Sequence, residues 1–335
     1  MKYQKLGRSD IEVSVISLGT WGLGGGSVWT DRNMTEEETK RLLYACRDCG
    51  INYIDTAPVY GTGISEELLG GALKGQRHEF VLQSKCSLNW RQEGGIFHYT
   101  RDGYIVENDT RANAVKRDVE DSLLRMQTDY LDSVIVHYVC DKFPVEETVG
   151  ALEEMIREGK IRAYGLSNSK PGNLDEYMKA PTSSEGVSLV QEFFSLLSPF
   201  HGRDYFKTCS DYDVLFQTYG VLEEGFLTSP SALDRRFEKT DIRSRLPWTD
   251  PARQEGLLRA FQAWETIRAE HGCSFAVLAE SWALAQFEKM NLLVGMRRPE
   301  TVFDTVKSLD VHLNQYEIQY MEKVVSDVQV EVLDK

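Results

Sequence analysis

Between Val15 and Ser308 the chain repeats one pattern eight times: a short apolar run, then an amphipathic stretch. The apolar runs cover residues 15–20, 51–55, 79–85, 131–137, 161–168, 187–193, 213–219 and 291–295 and read as strands. Helices are expected at 35–50, 65–74, 112–126, 145–159, 171–180, 204–210, 254–271 and 300–308. The first of these is marked at both ends, since Thr35 and Glu38 are spaced as a capping box and Gly50 is a stop signal. Residues 3–14 read as a hairpin turning on Gly7-Arg8-Ser9-Asp10.

Eight parallel strands joined by crossover helices fit a closed (β/α)8 barrel, the TIM barrel, as one domain over residues 1–335. Right-handed crossovers put every strand's C-terminal end on one face. Asp55, Lys85, His137, Asn168, Gln191 and Tyr219 then meet there. A doubly wound nucleotide-binding sheet also alternates strand and helix. Its glycine fingerprint fails here: in Gly22-Leu23-Gly24-Gly25-Gly26-Ser27, Ser27 stands where the third glycine is needed and no helix begins. That stretch reads as a flexible loop over the barrel mouth.

With 41% hydrophobic and 27% charged residues the composition is that of a soluble globular enzyme. A formal charge of −14 argues against nucleic acid and anionic membranes as partners, leaving a small-molecule substrate. No run approaches the roughly 20 apolar residues of a membrane span, and the N-terminus lacks the apolar core of a signal peptide, so a cytoplasmic location is expected. The six cysteines are scattered, as reduced thiols are. Cys46 and Cys49 form a CxxC inside a helical stretch with no second pair nearby, so no metal site is expected.

The chemistry gathers around Ile51 to Gly61, INYIDTAPVYG, which sets the carboxylate of Asp55 and the phenol of Tyr60 across a strand end and its turn. Two further strands close on Lys85 and His137. A phenol, with an ordinary pKa of about 10, is a poor acid, and an ammonium group beside it eases loss of its proton. Asp55 can hold Lys85, and a neutral His137 can hydrogen-bond a carbonyl oxygen. Together the four suit protonation of a carbonyl oxygen while a hydride reaches the carbon.

DTAPVYG with a downstream Lys and His at strand ends is similar to the aldo-keto reductase family, and the likeness extends over nearly the whole chain. The resemblance implies a (β/α)8 barrel, a nicotinamide cofactor and a catalytic tetrad of Asp55, Tyr60, Lys85 and His137. It assigns Gly19, Thr20, Trp21 and Asp55 to the cofactor at the first strand ends. Ser167, Asn168 and Gln191 would grip the carboxamide, which offers a donor and an acceptor that amides match. Tyr219 would stack on the nicotinamide.

GVLEEGFLT resembles the family's SPLGxGLLT diphosphate loop in part, keeping Leu222, Gly225 and Leu227, with Gly220 and Val221 in place of Ser-Pro. Glu223 and Glu224 bring carboxylates to where a diphosphate would run; either they face solvent or cofactor affinity is lowered. VGMRRPETVFDTV resembles the adenosine-phosphate segment and assigns Gly295, Met296, Arg297, Thr301, Asp304 and Thr305 to the cofactor. Arg297 and Arg298 favour NADPH over NADH there, and Thr305 replaces the usual Asn.

On the substrate side the resemblance places Trp21, Val59, Tyr60, His137 and Tyr138, the last in place of a frequent Trp. With Trp90, His98 and Tyr99 these aromatics either receive a polar, hydroxylated substrate or pack a loop on the barrel rim. Two long segments, 87–111 and the polar stretch after the seventh strand, either shape the pocket and cover the cofactor or make an oligomer contact. Three readings compete with carbonyl reduction: alcohol or sugar oxidation, redox-neutral epimerisation with retained cofactor, and the regulatory role that some family members play at ion channels.

Overall fold

The computed structural model describes residues 1–24, 26, 28, 29 and 32–333; Gly25 and Ser27 of the glycine-rich run lie outside the described residues. In chain order the first half holds β1 (Tyr3–Lys5), β2 (Glu12–Ser14), β3 (Ile16–Gly19), α1 (Glu36–Asp48), β4 (Tyr53–Asp55), α2 (Ile64–Ala72), β5 (Val81–Cys86), β6 (Leu88–Asn89), β7 (Ile96–Arg101), β8 (Tyr104–Asn108) and α3 (Ala112–Met126). There follow β9 (Leu131–Val136), α4 (Val145–Arg157), β10 (Ile161–Ser167), α5 (Pro171–Lys179), β11 (Val187–Phe193), α6 (Phe200–Tyr212) and β12 (Leu215–Tyr219). The C-terminal part adds α7 (Pro251–Glu270), α8 (Phe275–Leu284), β13 (Met290–Gly295), α9 (Pro299–Thr305) and α10 (Gln315–Leu333).

Strands β3, β4, β5, β9, β10, β11, β12 and β13 close a parallel barrel in that order. These are the eight runs legible in the sequence. The register aligns Asp55 with Gln83 and carries Gln191 to Gln217 and Gln217 to Asn291, so polar side chains of five strands share one interior layer. The β1–β2 hairpin plugs the other end: Leu6, Ile11 and Val13 pack with Tyr53, Ile135, Ala163, Leu189 and Leu215. Each such buried aliphatic side chain contributes about 1.5–3 kcal/mol, so this small inner core seals the barrel floor.

The larger core lies between barrel and helices. Helix α1 begins with the expected capping box, Thr35 Oγ1 accepting from Glu38 N at 3.2 Å and Glu38 Oε2 from Thr35 N at 2.9 Å. The sequence pattern missed two helices. Helix α8, FAVLAESWAL, is the crossover into β13; it is buried on nearly every side, so it shows no polar face to mark a period. Helix α10 packs against α7 beyond the last strand and sets Met321 and Val325 into the core. The 87–111 segment, read in the sequence as a long insertion, forms a three-stranded antiparallel sheet of β6, β8 and β7. Asp102 and Gly103, at φ 52° and 81°, make its tight turn, as a two-residue hairpin loop requires.

Candidate active site

Asp55 ends β4, Lys85 lies near the end of β5, and His137 follows β9, so parallel pairing alone brings three of the four to one rim. Tyr60 comes from the turn between β4 and α2. That turn lies close against the glycine-rich loop: a Cβ on Gly61, at φ 61°, would meet Gly24 O at 2.8 Å. Lys85 Nζ donates to Asp55 Oδ1 and Oδ2 at 2.7 and 2.6 Å and to Thr56 O at 2.8 Å, which uses all three of its protons. It sits 4.9 Å from the centroid of the Tyr60 ring. The His137 ring stands edge-on to Tyr60 with centroids 6.1 Å apart.

Burial, and next the charge of Asp55, pushes the Tyr60 phenol well above its ordinary range. The sequence argument expected the ammonium to ease its proton loss; the structure instead keeps Tyr60 protonated, because a buried phenolate lacks solvent and faces a carboxylate. A protonated phenol is the form an acid needs, and the nearby ammonium acts once a negative oxygen develops. Burial lowers Lys85, and Asp55 opposes that shift. Burial, followed by Lys85 and His98, holds His137 far below the usual imidazole range, so it is neutral. Its Nδ1 is enclosed and has no partner among the described residues.

Asp55 is fixed by more than Lys85. Its Oδ1 also accepts from Gln83 Nε2 at 2.7 Å and Gln191 Nε2 at 2.9 Å. Both amides donate on to Gln217 Oε1, at 2.8 and 2.7 Å, and Gln217 Nε2 reaches Asn291 Oδ1 at 2.8 Å. A row of buried amides therefore anchors the Asp55 carboxylate through the barrel interior. Gln83 and Gln217 escaped the sequence reading because a lone polar residue inside an apolar strand shows no partner until the barrel closes.

A cavity of about 540 Å³ opens over this rim. Trp21, Val59, Tyr60, His137 and Tyr138, expected on the substrate side, all line it. Gly19, Thr20, Asp55, Ser167, Asn168, Gln191 and Tyr219 line the middle, and Gly220, Leu222, Gly225, Gly295, Met296, Arg297 and Thr301 continue the groove. Gly220 is needed where it stands, since a Cβ at its φ of 71° would run into the Phe193 ring. Four expected residues are absent from the lining. Lys85 lies behind Asp55; Leu227 is packed in the core; Thr305 is buried and donates to Glu280 Oε1 at 3.1 Å. Asp304 accepts from Ser274 Oγ at 2.7 Å and Lys307 Nζ at 3.0 Å, which turns it from the groove.

The amide roles also change. Asn168, in the left-handed region at φ 47°, donates to His137 O at 3.0 Å and accepts from Tyr219 Oη at 2.6 Å. With both amide groups engaged it ties the Tyr219 wall to the His137 strand end. Gln191 gives its amino group to Asp55 and Gln217, leaving its carbonyl oxygen for a carboxamide donor. The two glutamates separate. Glu223 turns inward, accepting from Ser195 Oγ and from Trp248 Nε1 at 2.8 Å, and so pins the segment after β12. Glu224 lines the groove with Oε2 enclosed and unpartnered among the described residues; burial, then the charge of Glu223, pushes it up to about 8.

The long segment after β12 crosses the cavity. Ile242 N donates to Val28 O at 2.9 Å, and Ile242 and Arg243 join the lining. Arg243 lies over the Trp29 ring at 4.9 Å, and Trp29 meets Trp21 edge-on at 5.0 Å. The sequence reading passed over Trp29, Ile242 and Arg243, whose loops carry no period. It passed over Arg101 as well, although the Asp102-Gly103 turn beside it was a legible hairpin signal.

A closed parallel barrel whose rim joins a buried Lys–Asp pair, a phenol and a neutral imidazole beside an elongated groove defines an oxidoreductase that acts on carbonyl groups. The chain belongs to the aldo/keto reductase family, whose sequence model matches residues 15–326. It is 31% identical over 328 residues to the NADH-specific methylglyoxal reductase of Escherichia coli (strain K12), covering 97% of this chain and 98% of that protein. Its fold is similar to that of a glycerol dehydrogenase from Gluconobacter oxydans, with a TM-score of 0.82 at 28% identity over 98% of this chain and 96% of the other. An aldo/keto reductase from Klebsiella pneumoniae, solved with NADP and acetate, matches with a TM-score of 0.69 at 25% identity, covering 94% and 92%. The protein is thus a reductase that uses a nicotinamide cofactor. Among the described residues no helix is long and apolar enough to cross a membrane.

Proposed function

We propose that this chain, working as one barrel domain, reduces an aldehyde, ketone or sugar-like carbonyl with NADPH, with Tyr60 as the acid. The observation that carries the reading is the buried Lys85–Asp55 pair, 2.6 Å at its closest, set 4.9 Å from the ring of a phenol that opens on the cavity. When bound, the cofactor supplies a hydride to the carbonyl carbon. Tyr60 gives its proton to the oxygen, the charge of Lys85 stabilises the phenolate left behind, and Asp55 keeps Lys85 in place. Neutral His137 orients the carbonyl oxygen. The residues of the groove suit the cofactor: an aromatic wall at Tyr219, the Gln191 carbonyl, and Arg297 farther along. Six cysteines without a disulfide support a cytoplasmic location.

The relative from E. coli is named as NADH-specific and the Klebsiella structure holds NADP, so the choice of nucleotide rests on this chain's own residues. Arg297 lines the groove where a 2′-phosphate would lie, and exposed Arg298 stands beside it at the start of α9. Titration with both nucleotides against tryptophan fluorescence tests this reading. Arg297→Gln is expected to weaken NADPH about tenfold, the size of one charge-assisted bond, and to leave NADH unchanged. Equal losses for both, or tighter NADH binding by the unmodified protein, would overturn the NADPH preference.

Glu224 adds a pH dependence. Below about 8 its carboxyl is protonated; as the pH rises through that value it gains a charge facing the diphosphate run of the groove. NADPH affinity is therefore expected to fall across pH 7 to 9, and Glu224→Gln to flatten the profile. A wild-type affinity independent of pH over that range would refute the placement.

One observation favours a second reading. The crossing segment closes on the glycine-rich loop through Ile242 and Val28, a geometry suited to retaining cofactor through an internal oxidation and re-reduction. Nucleotide that stays bound through purification, with epimerised product and no net absorbance change, would support it over net reduction.

A further inference from the structure

We propose that the substrate carries an anionic group, a carboxylate or a phosphate, apart from its reacting carbonyl, and that Arg101 is the residue that binds it. The proposal rests on the carbonyl-reductase reading above and names the substrate class of that site. Arg101 ends β7, the strand that the 87–111 sheet presents to the cavity. Its neighbours on that strand are placed by a bulge. Phe97 pairs with Glu107 and Tyr99 with Val106, leaving His98 as the extra residue, so that consecutive His98 and Tyr99 both line the cavity while Phe97 stays in solvent.

These side chains continue from the catalytic residues. Tyr138 lies 5.5 Å from His137, His98 lies 4.4 Å from Tyr138, Tyr99 lies 5.3 Å from His98, and the Arg101 guanidinium lies 4.5 Å over the Tyr99 ring. Stacking holds the guanidinium in place and leaves its donors open. The other two guanidiniums of the lining are engaged, Arg243 on Asp241 at 2.7 Å and Arg297 on Arg32 O at 2.5 Å. Among the described residues no carboxylate pairs with Arg101.

Nearby carboxylates are turned elsewhere. Asp102 faces the loop at Gly26, Glu192 accepts from Ser169 N at 2.8 Å and Ser169 Oγ at 2.9 Å, and Glu224 lies on the loop after β12. His98 is kept neutral by burial and by Arg101, so Arg101 is the positive group of this end. A chain with 52 acidic and 38 basic residues repels anions at long range, so an anionic substrate needs a local cation. A planar guanidinium with open donors matches a carboxylate or phosphate bidentately.

The test compares kcat/KM within two pairs: 4-carboxybenzaldehyde against its methyl ester, and glyceraldehyde 3-phosphate against glyceraldehyde. The wild-type enzyme is expected to favour the anion about tenfold or more in one pair, and the favoured pair identifies the group. In Arg101→Gln the ratio should fall to about one through KM, with neutral aldehydes turned over as before, while Arg101→Lys keeps part of the preference. Flat ratios in the wild type, or a preference that survives Arg101→Gln, would overturn the proposal. Turnover of the neutral aldehydes reports separately on the reductase reading. Titration of the favoured anion, 4-carboxybenzaldehyde or glyceraldehyde 3-phosphate, against tryptophan fluorescence without cofactor reads the contact independently of turnover, and a wild-type affinity no tighter than that of Arg101→Gln would count against it.

Discussion

Tyr60→Phe is expected to lower kcat by about 100- to 10,000-fold, the usual worth of a positioned general acid, while nucleotide affinity stays within about twofold. The change removes one oxygen and keeps the ring that packs near Trp21 at 6.1 Å and His137 at 6.1 Å, so the walls of the site are preserved. Single-turnover measurement of cofactor oxidation is the direct check, because it isolates the chemical step from product release. A variant that keeps more than about a tenth of wild-type turnover would move the acid to another group, with His137 the next to examine.

Lys85→Met should cost both stability and activity. In the wild type the ammonium and carboxylate are enclosed together, each group's desolvation offset by three short hydrogen bonds from Lys85 and two further amide donors to Asp55. Removing the cation leaves the carboxylate of Asp55 buried with amides alone, a change that costs about 3–5 kcal/mol when one member of a buried pair is deleted. The double variant Asp55→Asn/Lys85→Met is expected to recover much of that stability without activity, because the uncompensated charge is gone and the site is still incomplete. Urea denaturation of the two single variants and the double variant measures the coupling. A Lys85→Met protein as stable as the wild type would show that water or a rearranged side chain reaches Asp55.

Much of the fold was open to reading because its signals are local. Each barrel strand is one apolar run, each run ends near the residue that matters, and Thr35, Glu38 and Gly50 mark a helix within 16 residues of chain. Local signals fail where a residue's environment is the same on all sides, as for α8. They also fail where its partner is distant in sequence: Gln83 meets Gln217 across 134 positions, and Gln191 meets Asp55 across 136. Asn168 and Gln191 were expected at the barrel rim and line the cavity, yet the hydrogen bonds their amides make were visible only once Tyr219, His137 and Asp55 surrounded them.

The sequence by itself determined the eightfold strand–helix alternation that fits a parallel barrel and the chemical types waiting at its strand ends. Polarity, period and capping act over a few residues, and they suffice for both. Tertiary structure decided the protonation of Tyr60 and His137, the division of labour between Glu223 and Glu224, and the open guanidinium of Arg101. Those properties depend on desolvation and on the distances between groups, and neither exists until closure of the barrel brings residues from opposite ends of the chain around one cavity.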